Sequence, residues 1–365
     1  MIDAQLQTLL AGISPADSHA MELAQQRQAQ LAKPPGSLGQ LEALSIRMAG
    51  ITGHVCNRIE KKHLLVFAAD NGVVAEGVSC SPQSVTRSQA INLTRAKTGA
   101  SVLCRHFGCG ITVCDVGICW DGPLPGVLDR KILPGTGNIA QGPAMTRQQA
   151  LQAISTGFSL ASETPADVLG IGEMGIGNTT TSSAVLSVLL DVAPETVTGR
   201  GGGLTESAFR LKKQVIARAI ACNRPNRDDV VDVLHRVGGL DLAAMCGAFL
   251  GAAATHRPVV IDGLISAVAA LCAVRLCPAV RDYLIGSHAS VEPGYHLAME
   301  ALCLQPMLLL DMRLGEGSGC PLAFEILDAA CAVLRDMATF DEAGIDDGYL
   351  EPIRAEGRLQ GEEKI

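Results

Sequence analysis

The stretch Val168-Leu169-Gly170-Ile171-Gly172-Glu173-Met174-Gly175-Ile176-Gly177-Asn178-Thr179-Thr180 decides the fold class. It begins with a short apolar run, continues through a glycine-rich turn, and opens a helix-length segment near Asn178. An apolar run without alternation suits a strand buried on both faces. Similar runs occur at residues 64–69, 111–116, 259–261, 283–285 and 307–312, with helix-length segments between them. Such a pattern predicts right-handed βαβ crossovers and an α/β fold built on a doubly wound, mostly parallel, Rossmann-like sheet. Ligands of such sheets bind beyond the carboxyl ends of the strands. The glycine-rich turns are expected there: Asp70-Asn71-Gly72, residues 172–177, Gly286-Ser287-His288 and residues 315–319.

The N-terminal segment has a different texture. Ser14-Pro15 reads as an N-cap with proline at the first helical position, and the helix is expected to run to Lys33. Pro34-Pro35-Gly36 stops it, and a second helix is expected over residues 38–51. With no strand between them, the two form an antiparallel pair outside the sheet. The expected division is residues 1–60 plus 340–365 as a small helical domain built from both termini, and 61–339 as the large α/β domain. The acidic tail from Asp341 either packs on the N-terminal helices or frays.

Composition excludes several function classes. Aromatics are 3% of the 365 residues, and the net charge of -8 argues against the basic face that a phosphate backbone needs, so no nucleic-acid partner is expected. No run reaches the roughly 18 apolar residues that span a bilayer, and residues 264–274 read as a buried helix, so no membrane partner is expected either. Asp3 and the lack of a basic leader argue against a signal peptide, making the cytoplasm the expected location. Thirteen cysteines include Cys104, Cys109, Cys114 and Cys119 at five-residue spacing. None forms a zinc knuckle, so they are expected to be buried thiols, with no metal.

Two glycine turns carry a single carboxylate, Glu173 in the first and Glu316 in Leu314-Gly315-Glu316-Gly317-Ser318-Gly319. Glycines let backbone N–H groups close on an anion at a helix N-terminus, while a carboxylate beside that anion suits a proton acceptor. Gly170-x-Gly172-x-x-Gly175 matches the dinucleotide fingerprint formally, but Glu173 occupies the place of a pyrophosphate and no acid ends a second strand about 20 residues on. Gly172-x4-Gly177-Asn178-Thr179 imitates a P-loop with Asn178 where a lysine would stand. The loop therefore suits one phosphate, or it is a tight turn for helix–strand packing. Gly199-Arg200-Gly201-Gly202-Gly203-Leu204, with Lys212 on the next helix, is a second anion cradle or a bare linker. Ser287-His288-Ala289-Ser290 lacks a nucleophile elbow, and its hydroxyls suit phosphate donors. Glu316 is either a general base, its pKa raised by desolvation, or the cap of a helix starting near Cys320.

Together these motifs resemble the nicotinate-nucleotide–dimethylbenzimidazole phosphoribosyltransferases. The resemblance runs through Lys33-Pro34-Pro35-Gly36-Ser37-Leu38-Gly39, Ala69-Asp70-Asn71-Gly72-Val73, Pro82-Gln83-Ser84-Val85-Thr86 and Gly142-Pro143-Ala144-Met145-Thr146, and then residues 172–180, 199–204, 288–295 and 311–319. It implies transfer of phosphoribose from nicotinate mononucleotide to a benzimidazole nitrogen, releasing nicotinate and leaving an α-glycosidic bond. The leaving pyridinium is already positive and needs no general acid, and a donor with one phosphate needs no magnesium-binding acidic pair or other cofactor. The resemblance gives Glu316 the role of base. Gly175, Ile176, Gly177, Lys212 and Ser290 would hold the phosphate, Glu173 would lie near the ribose or nicotinate, and Ser79 would border the benzimidazole pocket. Asn178, Gly202 and Gly315 join them as substrate-binding positions. A homodimer is also implied. The sequence departs from the family pattern at Asn71, Ser88-Gln89 and Gly137, the first two near the expected base pocket.

Two other readings compete. A Rossmann-type dehydrogenase would bind NAD through the Gly170 loop and release no nicotinate. A non-catalytic nucleotide-binding dimer would be indifferent to loss of Glu316.

Overall fold

Seven strands run through the middle of the chain: β1 (Lys62–Ala69), β2 (Gly110–Gly117), β3 (Leu128–Asp129), β4 (Val168–Met174), β5 (Val259–Ile261), β6 (Leu284–His288) and β7 (Pro306–Leu308). In the computed structural model, which describes residues 4–352, they form one sheet in the order β3-β2-β1-β4-β5-β6-β7 with every pairing parallel. The fold is α/β, as the continuous apolar runs predict. Residues 64–69 of β1, and Val168, Leu169 and Ile171 of β4, are wholly buried. The chain moves outward from β1 to β3, then returns to β4 on the other flank of β1. With right-handed crossovers, that reversal places the two sets of connecting helices on opposite faces. It also creates a switch point between β1 and β4, where the loops at the strand ends diverge.

Some local readings need correction. The short edge strand β3 has no apolar run to announce it. The apolar run at 307–312 leaves the sheet after Leu308, and Leu309 is 83% exposed. Glu173, expected in a turn, is a strand residue: β4 extends through Met174 because Glu173 pairs with Phe67 of β1. Ser287 and His288 likewise belong to β6. Leu264–Leu276 is the expected buried helix, with every residue from Leu264 to Val274 buried.

The described residues divide into two compact units. The sheet unit takes the chain up to Ser14 together with Lys61–Ala323. An unanticipated helix, Ala4–Leu10, belongs to it. The second unit takes Pro15–Glu60 and the chain from Phe324 onward. Its first helix is Ser18–Gln30, capped not by Ser14 but by Asp17, whose carboxylate accepts the Ala20 N–H at 3.0 Å. The next helix is Gln40–Thr52. Ala24, Leu31, Ala49 and Leu334 form the unit's apolar centre, and Lys33 pairs with Glu42 at 2.7 Å. In the acidic tail, Phe340–Ala343 forms a short capped helix. Residues 353–365 lie outside the described residues.

Candidate active site

A cavity of about 310 Å³ lies within the sheet unit and is lined from the carboxyl ends of β4, β5 and β6 and from three glycine-rich segments. Its size falls in the range of small-molecule sites. The residues expected to be catalytic or substrate-binding all line it: Ser79, Glu173, Gly175, Ile176, Gly177, Asn178, Gly202, Lys212, Ser290, Gly315 and Glu316. Positions some 240 residues apart in the chain therefore meet in one space.

The lining includes a buried cation, Lys212. Gly177 takes a left-handed conformation at φ 94° and opens the helix Asn178–Leu190. Thr179, in that helix's first turn, accepts a hydrogen bond from Lys212 Nζ at 2.9 Å, and Gly199 O accepts a second at 3.1 Å. Lys212 is 1% exposed, and burial pulls its pKa down to about 8, with the charge of Glu292 acting the other way. The Gly199 segment is therefore a wall of the cavity rather than a bare linker. Ser290 is buried on the same lining. The backbone N–H of Ile176 is donated to Thr86 Oγ1 at 3.1 Å.

The lining also includes buried acids. Glu316 is 5% exposed, and its Oε2 accepts the Ala100 N–H at 3.2 Å, so it caps a helix other than the one near Cys320. Its backbone is unusual for a non-glycine residue. Gly315, Glu316 and Gly317 have φ of 87°, 62° and 81°, three left-handed residues in succession. A left-handed glutamate costs roughly 1–2 kcal/mol, and such strain gathers where surrounding structure holds a functional side chain in place. The turn passes directly over β4. A Cβ built at Gly172 would lie 2.6 Å from Glu316 O. Gly172 is thus needed for close approach of the carboxylate-bearing turn, not for an anion.

Two more buried acids hold this turn. Glu173 Oε1 accepts the Glu316 N–H at 3.4 Å, and its Oε2 accepts from the Asn178 amide, which also donates to Asp241 at 3.1 Å. Burial pushes the Glu173 carboxyl up to about 8, against the Asn178 bond, and the charges of Asp241 and Asp262 push the same way. Asp262, directly after β5, accepts the N–H groups of Gly317 and Gly319 at 3.0 and 2.7 Å. Burial raises its carboxyl to about 7 despite those bonds. His288 Nδ1 lies 3.7 Å from Asp262, yet burial lowers the His288 pKa to about 4, so at neutral pH the contact is not an ion pair. Ser287 Oγ meets that same Nδ1 at 3.1 Å. A hydrolytic triad would use opposite ring nitrogens for serine and acid, so this trio is not one. Among the described residues, no group of three or more His, Cys, Asp or Glu side chains is arranged to hold a metal ion.

Sequence reasoning did not single out Asp262 or Asp241. The available signal for Asp262 was Ile261-Asp262-Gly263, an acid and a glycine at a strand's carboxyl end. Asp241 opens a helix and carried no local mark. Of the departures, Gln89 lines the cavity, whereas Asn71 is wholly buried outside the lining and Ser88 points its hydroxyl to Ser84 O at 3.2 Å. At Gly137 a Cβ would lie 2.8 Å from Pro143 O, away from the cavity lining.

A family model described as Phosphoribosyltransferase matches residues 13–345. A nicotinate-nucleotide–dimethylbenzimidazole phosphoribosyltransferase of Clostridium perfringens is 47% identical over 354 residues, 96% of this chain and 98% of that protein. One from Ruminiclostridium cellulolyticum is 51% identical over 329 residues, covering 89% and 94%. The crystal structure of CobT from Thermus thermophilus superposes with a TM-score of 0.87 at 42% identity, over 90% of this chain and all of that one. With such identity along nearly its whole length, and with the strand order and cavity described, this chain belongs to the nicotinate-nucleotide–dimethylbenzimidazole phosphoribosyltransferase family.

Proposed function

We propose that the protein transfers phosphoribose from nicotinate mononucleotide to 5,6-dimethylbenzimidazole or a related base, giving the α-riboside phosphate and nicotinate, in assembly of the cobalamin nucleotide loop. The observation that carries the reading is one cavity lined both by a buried lysine that reaches a helix N-terminus and by a strained glutamate. In this reading Lys212, Ser290 and the turn 175–177 grip the phosphate, with Asn178 and Gly202 beside them. Glu173 lies near the ribose or nicotinate with Gly315 as a further substrate-binding position, and Ser79 borders the incoming base. The unprotonated ring nitrogen of the base forms a bond to the ribosyl C1′ as the C1′–N bond to the pyridinium breaks. The breaking pair neutralises the pyridinium nitrogen. Glu316 takes the N–H proton from the second azole nitrogen, a contribution of roughly 10²- to 10⁴-fold. No cofactor is invoked.

Incubation with nicotinate mononucleotide and a panel of benzimidazoles, purines and phenols, with identification of the products, tests this. Nicotinate release coupled to an α-riboside phosphate is expected. NAD binding without nicotinate release refutes it in favour of a dehydrogenase.

The proposal extends to a homodimer, supported by the exposed apolar residues Leu309, Leu310 and Leu314 between β7 and Glu316. Light scattering should give twice the chain mass of 38.0 kDa. A cytoplasmic setting is supported by thirteen free thiols, which suit a reducing compartment.

A further inference from the structure

We propose that Asp262 is a positioning residue: its carboxylate clamps the backbone of the turn that carries Glu316 and sets where the proton acceptor sits. The inference rests on the assignment of Glu316 as base.

The geometry is specific. Asp262 follows the last residue of β5, and its own N–H is donated to Ser266 Oγ at 3.2 Å, which ties its main chain to the following helix. Ser266 Oγ in turn donates to Ile171 O of β4 at 2.9 Å. From this rigid base Asp262 reaches across with both oxygens. Oδ2 accepts from Gly317 at 3.0 Å and Oδ1 from Gly319 at 2.7 Å, the residues one and three positions beyond Glu316. Both N–H groups are therefore held by a single planar, bidentate acceptor.

The turn needs such a clamp at Glu316, because its two glycines adopt the left-handed conformation freely while the glutamate between them does not. A left-handed glutamate between two left-handed glycines relaxes unless the surroundings over-determine it. Glu173 holds the turn only through the Glu316 N–H, at 3.4 Å. Gly172 supplies space but no bond. Gly319 completes the arrangement: a Cβ there would lie 2.2 Å from His288 Nδ1 and 3.0 Å from Asp262 Oδ1, so the turn is pressed against the acid. No catalytic step in the proposed reaction uses Asp262, although it lines the cavity and is 2% exposed. A buried carboxylate of that kind is costly unless it is bonded, and here its bonds go to the backbone of the catalytic turn.

A double-mutant cycle tests the proposal, with initial rates of α-riboside phosphate formation and calorimetric binding of nicotinate mononucleotide. The variants are Asp262→Asn, Asp262→Ala, Glu316→Ala and Asp262→Asn/Glu316→Ala. Asp262→Asn keeps one acceptor oxygen and sets an amide NH₂ against the other N–H. It should lower kcat about 10-fold, and Asp262→Ala about 100-fold, consistent with roughly 10²-fold for a 1 Å misplacement. Mononucleotide Kd should stay within about threefold. In the Glu316→Ala background, Asp262→Asn should cost less than about twofold, because its effect runs through Glu316. If Asp262→Ala does not fold, the isosteric asparagine variant still decides the matter. A native kcat for Asp262→Asn, or an equal loss in both backgrounds, overturns the clamp while leaving the base assignment intact. A native rate for Glu316→Ala overturns the base assignment itself.

Discussion

Replacing Gly172 with alanine probes the tightest contact that the active-site reading requires. The added Cβ would sit 2.6 Å from Glu316 O, and 2.7 Å from both Glu316 C and Gly317 N. Ordinary contact begins near 3.4 Å, so the turn must retreat by about 0.8 Å. The neighbours are backbone atoms, which cannot swing aside as a side-chain end can, and β4 is pinned between β1 and β5. Overpacking of this kind costs about 1–3 kcal/mol. Such a retreat also moves the carboxylate by most of the 1 Å that is worth roughly 10²-fold in rate. Gly172→Ala should therefore lose about 10- to 100-fold in kcat and a few degrees in Tm, while mononucleotide Kd, set at the Lys212 end, changes little. Gly142→Ala, with nothing within 4 Å of its Cβ, serves as a neutral control. Steady-state kinetics, calorimetric binding and differential scanning calorimetry supply the three readouts. A Gly172→Ala protein with native kcat and native Tm would show that the Glu316 turn does not lie on β4 in the working enzyme, and the argument for a held base would fail.

Three further outcomes are expected. Glu316→Ala should lose about 10²- to 10⁴-fold in kcat yet bind the mononucleotide as well as the native protein, which calorimetry beside rate measurement would show. Lys212→Ala should instead weaken mononucleotide binding. Since burial brings Lys212 down to about 8, native affinity should fall as pH rises above 8 and the ammonium is lost, a step that the alanine variant should lack. Glu173→Gln should flatten the pH dependence of Tm. The folded chain holds the Glu173 proton up to about 8 against an ordinary 4.5, so native stability is full at low pH and declines as pH climbs through that window. The limit is about 1.4 kcal/mol per pH unit for one proton. An equally steep decline in Glu173→Gln would place the titration on Asp262 or Asp241.

Local sequence determined the strands and the places where ligand-binding turns emerge. Burial on both faces leaves continuous apolar runs, and closely approached or left-handed backbone leaves glycines, so both demands are written residue by residue. The parallel α/β class was legible for that reason, and the glycine turns marked the segments whose Gly177, Lys212, Ser290 and Glu316 line one cavity. Tertiary structure alone decided what those residues do to one another. Gly172 reads locally as part of an anion loop, and only the passage of residues 315–317 over β4 shows that its missing side chain makes room for Glu316. Glu173 reads as a turn residue because pairing with Phe67 of β1 is a contact across more than a hundred residues. Asp262 and Asp241 left almost no trace, since their partners are backbone N–H groups and an amide contributed by distant segments. A hydrogen bond to a main-chain N–H makes no demand on the identity of the residue that donates it. These acids are therefore visible only once the chain has folded around them.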